Sequence, residues 1–210
     1  GSIKTFSRGG SDITGAIAAA AIDADMYENW TDVSGIMTAD PRIVENPRPI
    51  ENVTFAELRE LSYMGAEVLH EETVFPVRQK NIPLFIKNTN DMNARGTLIM
   101  ESFDEDEENK NKHFITGISG KKNYSIITIA KNRMNEEIGY VRKALEVFEN
   151  FQIPIEHIPS SIDSFSVVVA SKHIEGIMHE LISALNDRLK PDTINIANEI
   201  SLIAIVGRKL

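Results

Sequence analysis

Two short blocks carry residue types suited to gripping phosphate and carboxylate groups. The first, Ser7-Arg8-Gly9-Gly10-Ser11-Asp12, lies between a strand-like run (Ile3 to Phe6) and an alanine-rich helical run (Ser11 to Asp25). Adjacent glycines let a backbone turn through positive φ and approach a ligand closely. The amides of Gly9, Gly10 and Ser11 then stand at a helix N-terminus, which favours an anion. Arg8 adds a planar fork for a carboxylate or phosphate. The same residues also suffice for a plain turn capped by Ser11 or Asp12. The block is neither a Walker A loop nor a G-x-G-x-x-G fingerprint.

The second block is Thr31-Asp32-Val33-Ser34-Gly35-Ile36-Met37-Thr38-Ala39-Asp40-Pro41-Arg42, directly after the strand-like run Met26 to Thr31. Its loop therefore belongs at the carboxyl end of a strand, where open α/β sheets bind ligands. Arg42 is a candidate phosphate partner and Asp32 a candidate nucleotide contact. The alternative is a turn in which Asp40-Pro41 fixes the backbone and Arg42 is solvated.

These blocks need a scaffold. Thr54 to Met64 and Ala66 to Asn81 read as helices, the second interrupted near Pro76, while Ile82 to Lys87 and Thr97 to Glu101 read as strands. The alternation predicts an α/β layer with a largely parallel sheet. Residues 104–112 are polar throughout and read as a linker. Beyond them come a strand (Ser125 to Ala130), a helix (Glu136 to Phe151), strands at Ile153 to Pro159 and Ser164 to Ala170, a helix (Ile174 to Leu189) and a strand (Asp192 to Ala197). That order, βαββαβ, is the ferredoxin-like unit. The run Ile200 to Val206 is expected to open a second copy of it. The expected division is 1–101, a linker at 102–112, a second domain at 113–199, and the start of a third at 200–210.

Composition narrows the chemistry. The 210 residues carry a net charge of -9, which argues against nonspecific binding to nucleic acid or to anionic membranes. There are no cysteines, which excludes disulfides, thiolate metal sites and cysteine nucleophiles and suits the cytoplasm. No apolar run approaches the roughly 18 residues of a membrane span. The five histidines show no metal-ligand spacing, and no metal site is expected.

Taken together and in order, the blocks resemble the G-R-G-G-S-D and T-D-x-x-G-x-Y-T-x-D-P-R signatures of the aspartokinases, within the amino acid kinase fold. Met64 to His70 is similar to that family's G-A-K-V-L-H helix, and Gly96-Thr97-Leu98-Ile99 to its last kinase strand. The resemblance covers nearly all of residues 3–101. It implies the C-terminal, ATP-binding part of an amino acid kinase αβα sandwich, with transfer from MgATP to the β-carboxylate of aspartate. Arg8, Gly9, Gly10 and Ser11 would match substrate-binding positions, with Arg8 on the α-carboxylate. Asp12 would match a catalytic position, and Thr31, Asp32 and Arg42 nucleotide-binding ones. Three residues depart from the pattern: Ser7 replaces a glycine, Met37 a tyrosine, and Glu67 a lysine that approaches the nucleotide in many members. The family's K-F-G-G motif is absent from these residues. The expectation is a fragment, inactive by itself.

The βαββαβ unit resembles an ACT domain, the amino-acid-sensing module of the same family, which usually associates as a dimer. Met134, Gly139, Tyr140 and Val141 would match its effector-binding loop and helix start. Ile155, Glu156, Ser160 and Ser161 would match the following strand. Glu156 suits the ammonium of a lysine effector, though a solvent-facing strand carboxylate is the alternative. A second class of function is a sensing or dimerising module without catalysis. A third is another amino acid kinase, such as one acting on glutamate or acetylglutamate.

Overall fold

The computed structural model describes residues 10–65, 69, 71–104 and 114–208, apart from the side chains of 71–73. The chain forms two compact units, 1–120 with 203–210, and 121–202. These limits differ from the expected cuts: residues 114–120 and 203–208 group with the first unit rather than with a second or third domain. The expected strand at Ile3 to Phe6 and most of the expected linker lie outside the described residues.

In the first unit, α1 (Gly10–Ala21) leads to β1 (Tyr27–Thr31), then β2 (Asn52–Thr54), α2 (Phe55–Tyr63), α3 (Glu71–Gln79), β3 (Leu84–Asn88) and β4 (Thr97–Met100). Helix α1 ends four residues before the expected Asp25 because Asp23 turns into the left-handed region, at φ 52°. It packs on α3 and against β1. A side chain at Gly15 would sit 2.5 Å from the Tyr27 hydroxyl, which donates to the Asp12 carbonyl at 3.2 Å. Only glycine lets that ring lie flush against the helix.

The sheet order is β1-β3-β4-β2. Strands β1 and β3 are parallel, as are β2 and β4, but β3 and β4 run antiparallel. The sheet is therefore mixed rather than largely parallel. The loop between Asn88 and Thr97 is too short for a parallel crossover, so the chain must double back. Val53, Val77, Leu84, Ile86, Ile99 and Ala16 are shielded from solvent and form the centre of the core.

Helix α2 begins with a capping box. The Thr54 hydroxyl accepts from the Glu57 amide, and the Glu57 carboxylate accepts from the Thr54 amide at 2.8 Å. The same carboxylate receives Thr116 Oγ1 at 2.5 Å and Arg208 Nε at 2.9 Å. The Glu57 and Arg208 side chains are only 7% and 14% exposed. Burial alone would raise the Glu57 pKa, but the hydrogen bonds from Thr116, Thr54 and Arg208 outweigh it and hold the carboxyl below its ordinary range.

In the second unit, β5 (Gly117–Ala130, which starts in the first unit) lies between β6 (Ser164–Ala170) and β7 (Thr193–Val206). Strands β5 and β6 pair antiparallel from Tyr124↔Ala170 to Ala130↔Ser164. Helices α4 (Tyr140–Asn150) and α5 (Met178–Leu189) pack side by side. Their Ala144, Val147, Phe148, Leu181 and Leu185 meet Ile127, Ile129, Phe165, Val167 and Val169 of the sheet. This unit is the ferredoxin-like ACT-type fold, with two departures from expectation. Ile153 to Pro159 is not a strand; only isolated bridges at His157↔Val168 and Ser160↔Phe165 remain. Pro154 and Pro159 have no N–H to give to a ladder. The runs Asp192 to Ala197 and Ile200 to Val206 form one strand, β7, in which Glu199 takes φ 58° and carries the chain past an apparent break.

Glu57→Ala should strip Arg208 of its partner in a buried site and destabilise the chain by about 3–5 kcal/mol, measured by urea unfolding at pH 7. Because the folded-state pKa of Glu57 is lowered, its contribution is full above the unfolded value of about 4.3 and fades as the pH falls through the folded value. The wild-type advantage should therefore shrink when the same measurement is made at pH 3.

Candidate functional site

Twelve residues of α1 rise about 18 Å, and the five residues of β1 span about 16 Å. The short turn between them reverses the chain, so the Gly10 end of α1 returns toward the level at which β1 ends. Ser11 there is exposed, and its hydroxyl donates to Asp12 Oδ1 at 3.4 Å. Arg8 and Gly9 lie outside the described residues.

The loop after β1 is pinned from several sides. The Thr31 carbonyl accepts from the Thr89 amide at 2.8 Å, and Asn88 Nδ2 donates to Ser34 Oγ at 2.8 Å. Thr31 Oγ1 donates to Asp32 Oδ1 at 3.2 Å. Thr97 holds the middle of the loop. Its fully buried hydroxyl accepts from the Ile36 amide at 2.8 Å and donates to the Ile50 carbonyl at 2.6 Å. Gly35, at φ 104°, is seated so closely that a Cβ would come within 2.5 Å of that hydroxyl. At the far end, Arg42 closes on Asp40, with Nε 3.0 Å from both carboxylate oxygens and a terminal nitrogen 2.7 Å from Oδ2. The Arg42 side chain is 75% exposed. Hydrogen bonding by Arg42 holds the Asp40 carboxyl below its usual range. Glu67 lies outside the described residues.

Thr97 has no role in the sequence reading beyond a strand position. A buried hydroxyl requires partners, but a threonine heading an apolar run gives no sign of burial. Its partners, Ile36 and Ile50, are 61 and 47 residues away.

The second unit holds the candidate effector residues in two places. Met134 is buried in a single 3₁₀ turn, Gly139 takes φ 76°, and α4 starts at Tyr140 rather than at Glu136. The loop is tied to the segment before β6: the Lys131 amide donates to the Asp163 carbonyl at 2.9 Å and the Arg133 amide to Asp163 Oδ1 at 3.0 Å. Ser160 and Ser161 adjoin that end of β6 and are exposed. Tyr140 is buried with its ring 6.2 Å from Phe165, edge to face, and its hydroxyl has no hydrogen-bond partner. Burial, with Glu137 and Asp192 nearby, pushes the phenol up to about 12. Val141 is half-buried against the core.

Glu156 stands elsewhere. Its amide donates to the Val168 carbonyl at 2.9 Å, so it lies four residues, about 13 Å, along β6 from Ser164. Its neighbour Ile155 packs toward the helices. Glu156 therefore faces the opposite side of the sheet, where its carboxylate acts on Tyr124. Burial first and Glu156 second raise the Tyr124 pKa. Within one chain, Glu156 and the loop at 134–141 are not brought together.

Residues 1–88 match the amino acid kinase family. Aspartokinase 3 of Bacillus subtilis is 37% identical over the whole chain, which covers 45% of that relative. Aspartate kinase of Clostridium acetobutylicum superposes with a TM-score of 0.84 at 48% identity, over 97% of this chain and 46% of that one. Aspartokinase III of Escherichia coli, solved with aspartate and ADP, gives 0.73 at 27% identity over 99% of this chain and 45% of the other. The same enzyme solved with lysine and aspartate gives 0.69 at 28% identity, over 97% and 44%. The fold is that of an amino acid kinase with an ACT-type unit behind it. Within that class the chain belongs with the aspartokinases. It spans less than half the length of these relatives. No helix among the described residues is long and apolar enough to cross a membrane.

Thr97→Val keeps the shape but leaves the Ile36 amide and the Ile50 carbonyl unpaired in the core. Urea unfolding should show a loss of about 1–3 kcal/mol, whereas Thr97→Ser should recover most of it.

Proposed function

We propose that the whole protein phosphorylates the β-carboxylate of L-aspartate with MgATP, giving 4-phospho-L-aspartate at the head of lysine, threonine and methionine synthesis. What supports this reading is the Thr97-pinned loop after β1, which begins with Thr31 and Asp32 at the strand end toward which the start of α1 returns. The solved relative from Escherichia coli that shares this fold binds aspartate and ADP.

In this reading Arg8 and the amides of Gly9, Gly10 and Ser11 take the aspartate carboxylates, as helix N-termini take anions. Asp12 organises the reacting groups. Thr31 and Asp32 position the nucleotide, and Arg42 exchanges its Asp40 partner for a phosphate oxygen. An exposed ion pair contributes little, so the exchange costs little. Phosphoryl transfer asks mainly for such positioning and for charge stabilisation. Magnesium supplies neutralising charge on the phosphates. The present residues alone do not suffice for the reaction, since no lysine of the K-F-G-G type stands among them.

The second unit is proposed to sense an amino acid and to pair with a second copy of the chain, in the cytoplasm. Lysine is the favoured effector. The Gly139 and Val141 amides at the start of α4 receive its carboxylate, with Met134, Ser160 and Ser161 around it and the unpaired Tyr140 hydroxyl close by. Ile155 and Glu156 complete the site from the adjoining copy, since one chain does not bring the two places together.

A coupled ADP-release assay on the full-length protein should give turnover with aspartate and none with glutamate; the reverse would assign another amino acid kinase. Asp12→Asn should lower kcat by about 10²–10³-fold. Turnover unchanged in that variant would remove Asp12 from the reaction. In calorimetric titrations, Glu156→Ala should abolish lysine binding and spare threonine binding. An unchanged lysine affinity takes Glu156 out of the site.

A further inference from the structure

The loop between β5 and α4 carries an ion cluster in which two ammonium groups share one carboxylate. Lys131, the first residue after β5, donates through Nζ to Glu137 Oε2 at 2.5 Å and to the carbonyl of Leu189, the last residue of α5, at 3.2 Å. The same ammonium lies 4.9 Å from the Tyr140 ring centre. The other oxygen of Glu137 accepts from Lys143 Nζ at 2.9 Å. With two cations on one anion, the cluster keeps one positive charge. Hydrogen bonds from Lys131 first and Lys143 second hold the Glu137 carboxyl below its usual range, so it stays ionised at neutral pH.

The two lysines are held differently. Lys131 is fixed by a carboxylate, a backbone carbonyl and a ring face. Among the described residues, the Lys143 ammonium has Glu137 as its one partner. Lys143 stands one turn into α4, where its amide donates to the Gly139 carbonyl at 3.0 Å. Helical side chains lean toward the N-terminus, so its reach to Glu137, two residues before Gly139, carries the ammonium to the amide end of α4. Tyr140, beside it, is 2% exposed, and its hydroxyl has no hydrogen-bond partner among the described residues. Buried polar groups are ordinarily satisfied, so this end of α4 is short of one partner.

We propose that Lys143 is a further binding residue for the carboxylate of the sensed amino acid, and that Glu137 is the partner it leaves when the ligand enters. The exchange strands no charge. As Lys143 turns to the ligand, Glu137 keeps Lys131, and the ligand carboxylate meets the Gly139 and Val141 amides together with an ammonium. A single lysine could not serve both, since its departure would leave Glu137 bare beside an incoming carboxylate, and like charges repel. Lys131 and Glu137 are positioning residues, which act on the ligand only through Lys143. The inference rests on the proposed sensing role, and it names a side chain that reads the carboxylate as Glu156 is proposed to read the ammonium.

Calorimetric titration of the full-length protein with L-lysine, or with L-threonine should that alone bind, tests it. Lys143→Met keeps the stem and drops the charge; its Kd should rise about tenfold at low salt, while Lys143→Arg stays within about threefold of the wild type. Added sodium chloride should weaken binding more steeply in the wild type than in Lys143→Met, because salt screens a half-exposed charge contact; a merely structural lysine would not change that slope. Glu137→Gln keeps the shape and removes the competing charge, so it should bind the amino acid at least as tightly as the wild type, whereas a clamp that only held the loop would lose affinity. Urea unfolding checks that each variant folds, and if Lys143→Met does not, Glu137→Gln decides alone. A folded Lys143→Met with wild-type affinity, or a folded Glu137→Gln that binds more weakly, overturns the exchange and leaves the sensing role standing. A wild type that binds neither lysine nor threonine removes the sensing role and this inference with it.

Discussion

The Thr97 hydroxyl is a small group with two obligations. It accepts from the Ile36 amide and donates to the Ile50 carbonyl, and it does so where no water can substitute. An unpaired buried backbone group costs about 1–3 kcal/mol, so the loop cannot lift from the sheet without paying that cost twice. Gly35 follows from the same contact, because its φ of 104° and its 2.5 Å approach exclude any side chain. The order of the T-D-x-x-G block is thus partly a packing requirement. Its glycine makes room for the threonine, and the threonine ties the loop that follows Thr31 and Asp32 to the sheet.

The motifs were legible because each states a local backbone requirement, and so were the elements with a clear hydrophobic period. Helix α5 shows Leu181, Leu185 and Leu189 on one stripe, and these are the buried positions. Helix α4 was legible in outline only. Gly139 sets its start at Tyr140 rather than at Glu136, and its buried positions are Tyr140, Ala144, Val147 and Phe148. What was hidden depends on distant partners. Strand β2 has three residues, and only pairing with β4 makes it a strand. The antiparallel turn of β3 into β4 depends on the length of one loop, and β7 looked like two strands because Asn198 and Glu199 are polar. Among the candidate site residues, the loop after β1 was readable as a loop, but the threonine that fixes it was not.

A net charge of -9 does not by itself exclude the binding of an anion. Local arrangement decides. Carboxylates farther off than about 10 Å are screened at ordinary ionic strength, so the groups beside a site weigh more than the total charge. Asp40 keeps the Arg42 fork aligned, at two contacts of 3.0 Å, in an exposed pair that contributes little to stability.

In the second unit, local chemistry also settles which face of the sheet can do what. The helices cover Ile127, Ile129, Val167 and Val169, leaving no room for a ligand among them. The opposite face carries Tyr124, Glu156 and the Thr128–Ser166 hydroxyl pair, whose oxygens lie 2.8 Å apart. Pro154 and Pro159 prevent a regular strand beside β6, so backbone groups there keep only scattered bonds to Val168, Ser166 and Ser164. A loop with amides at one end and a carboxylate on the other face cannot enclose one amino acid within a single chain. In the proposed sensing role, two copies related by symmetry would each supply the part that the other lacks.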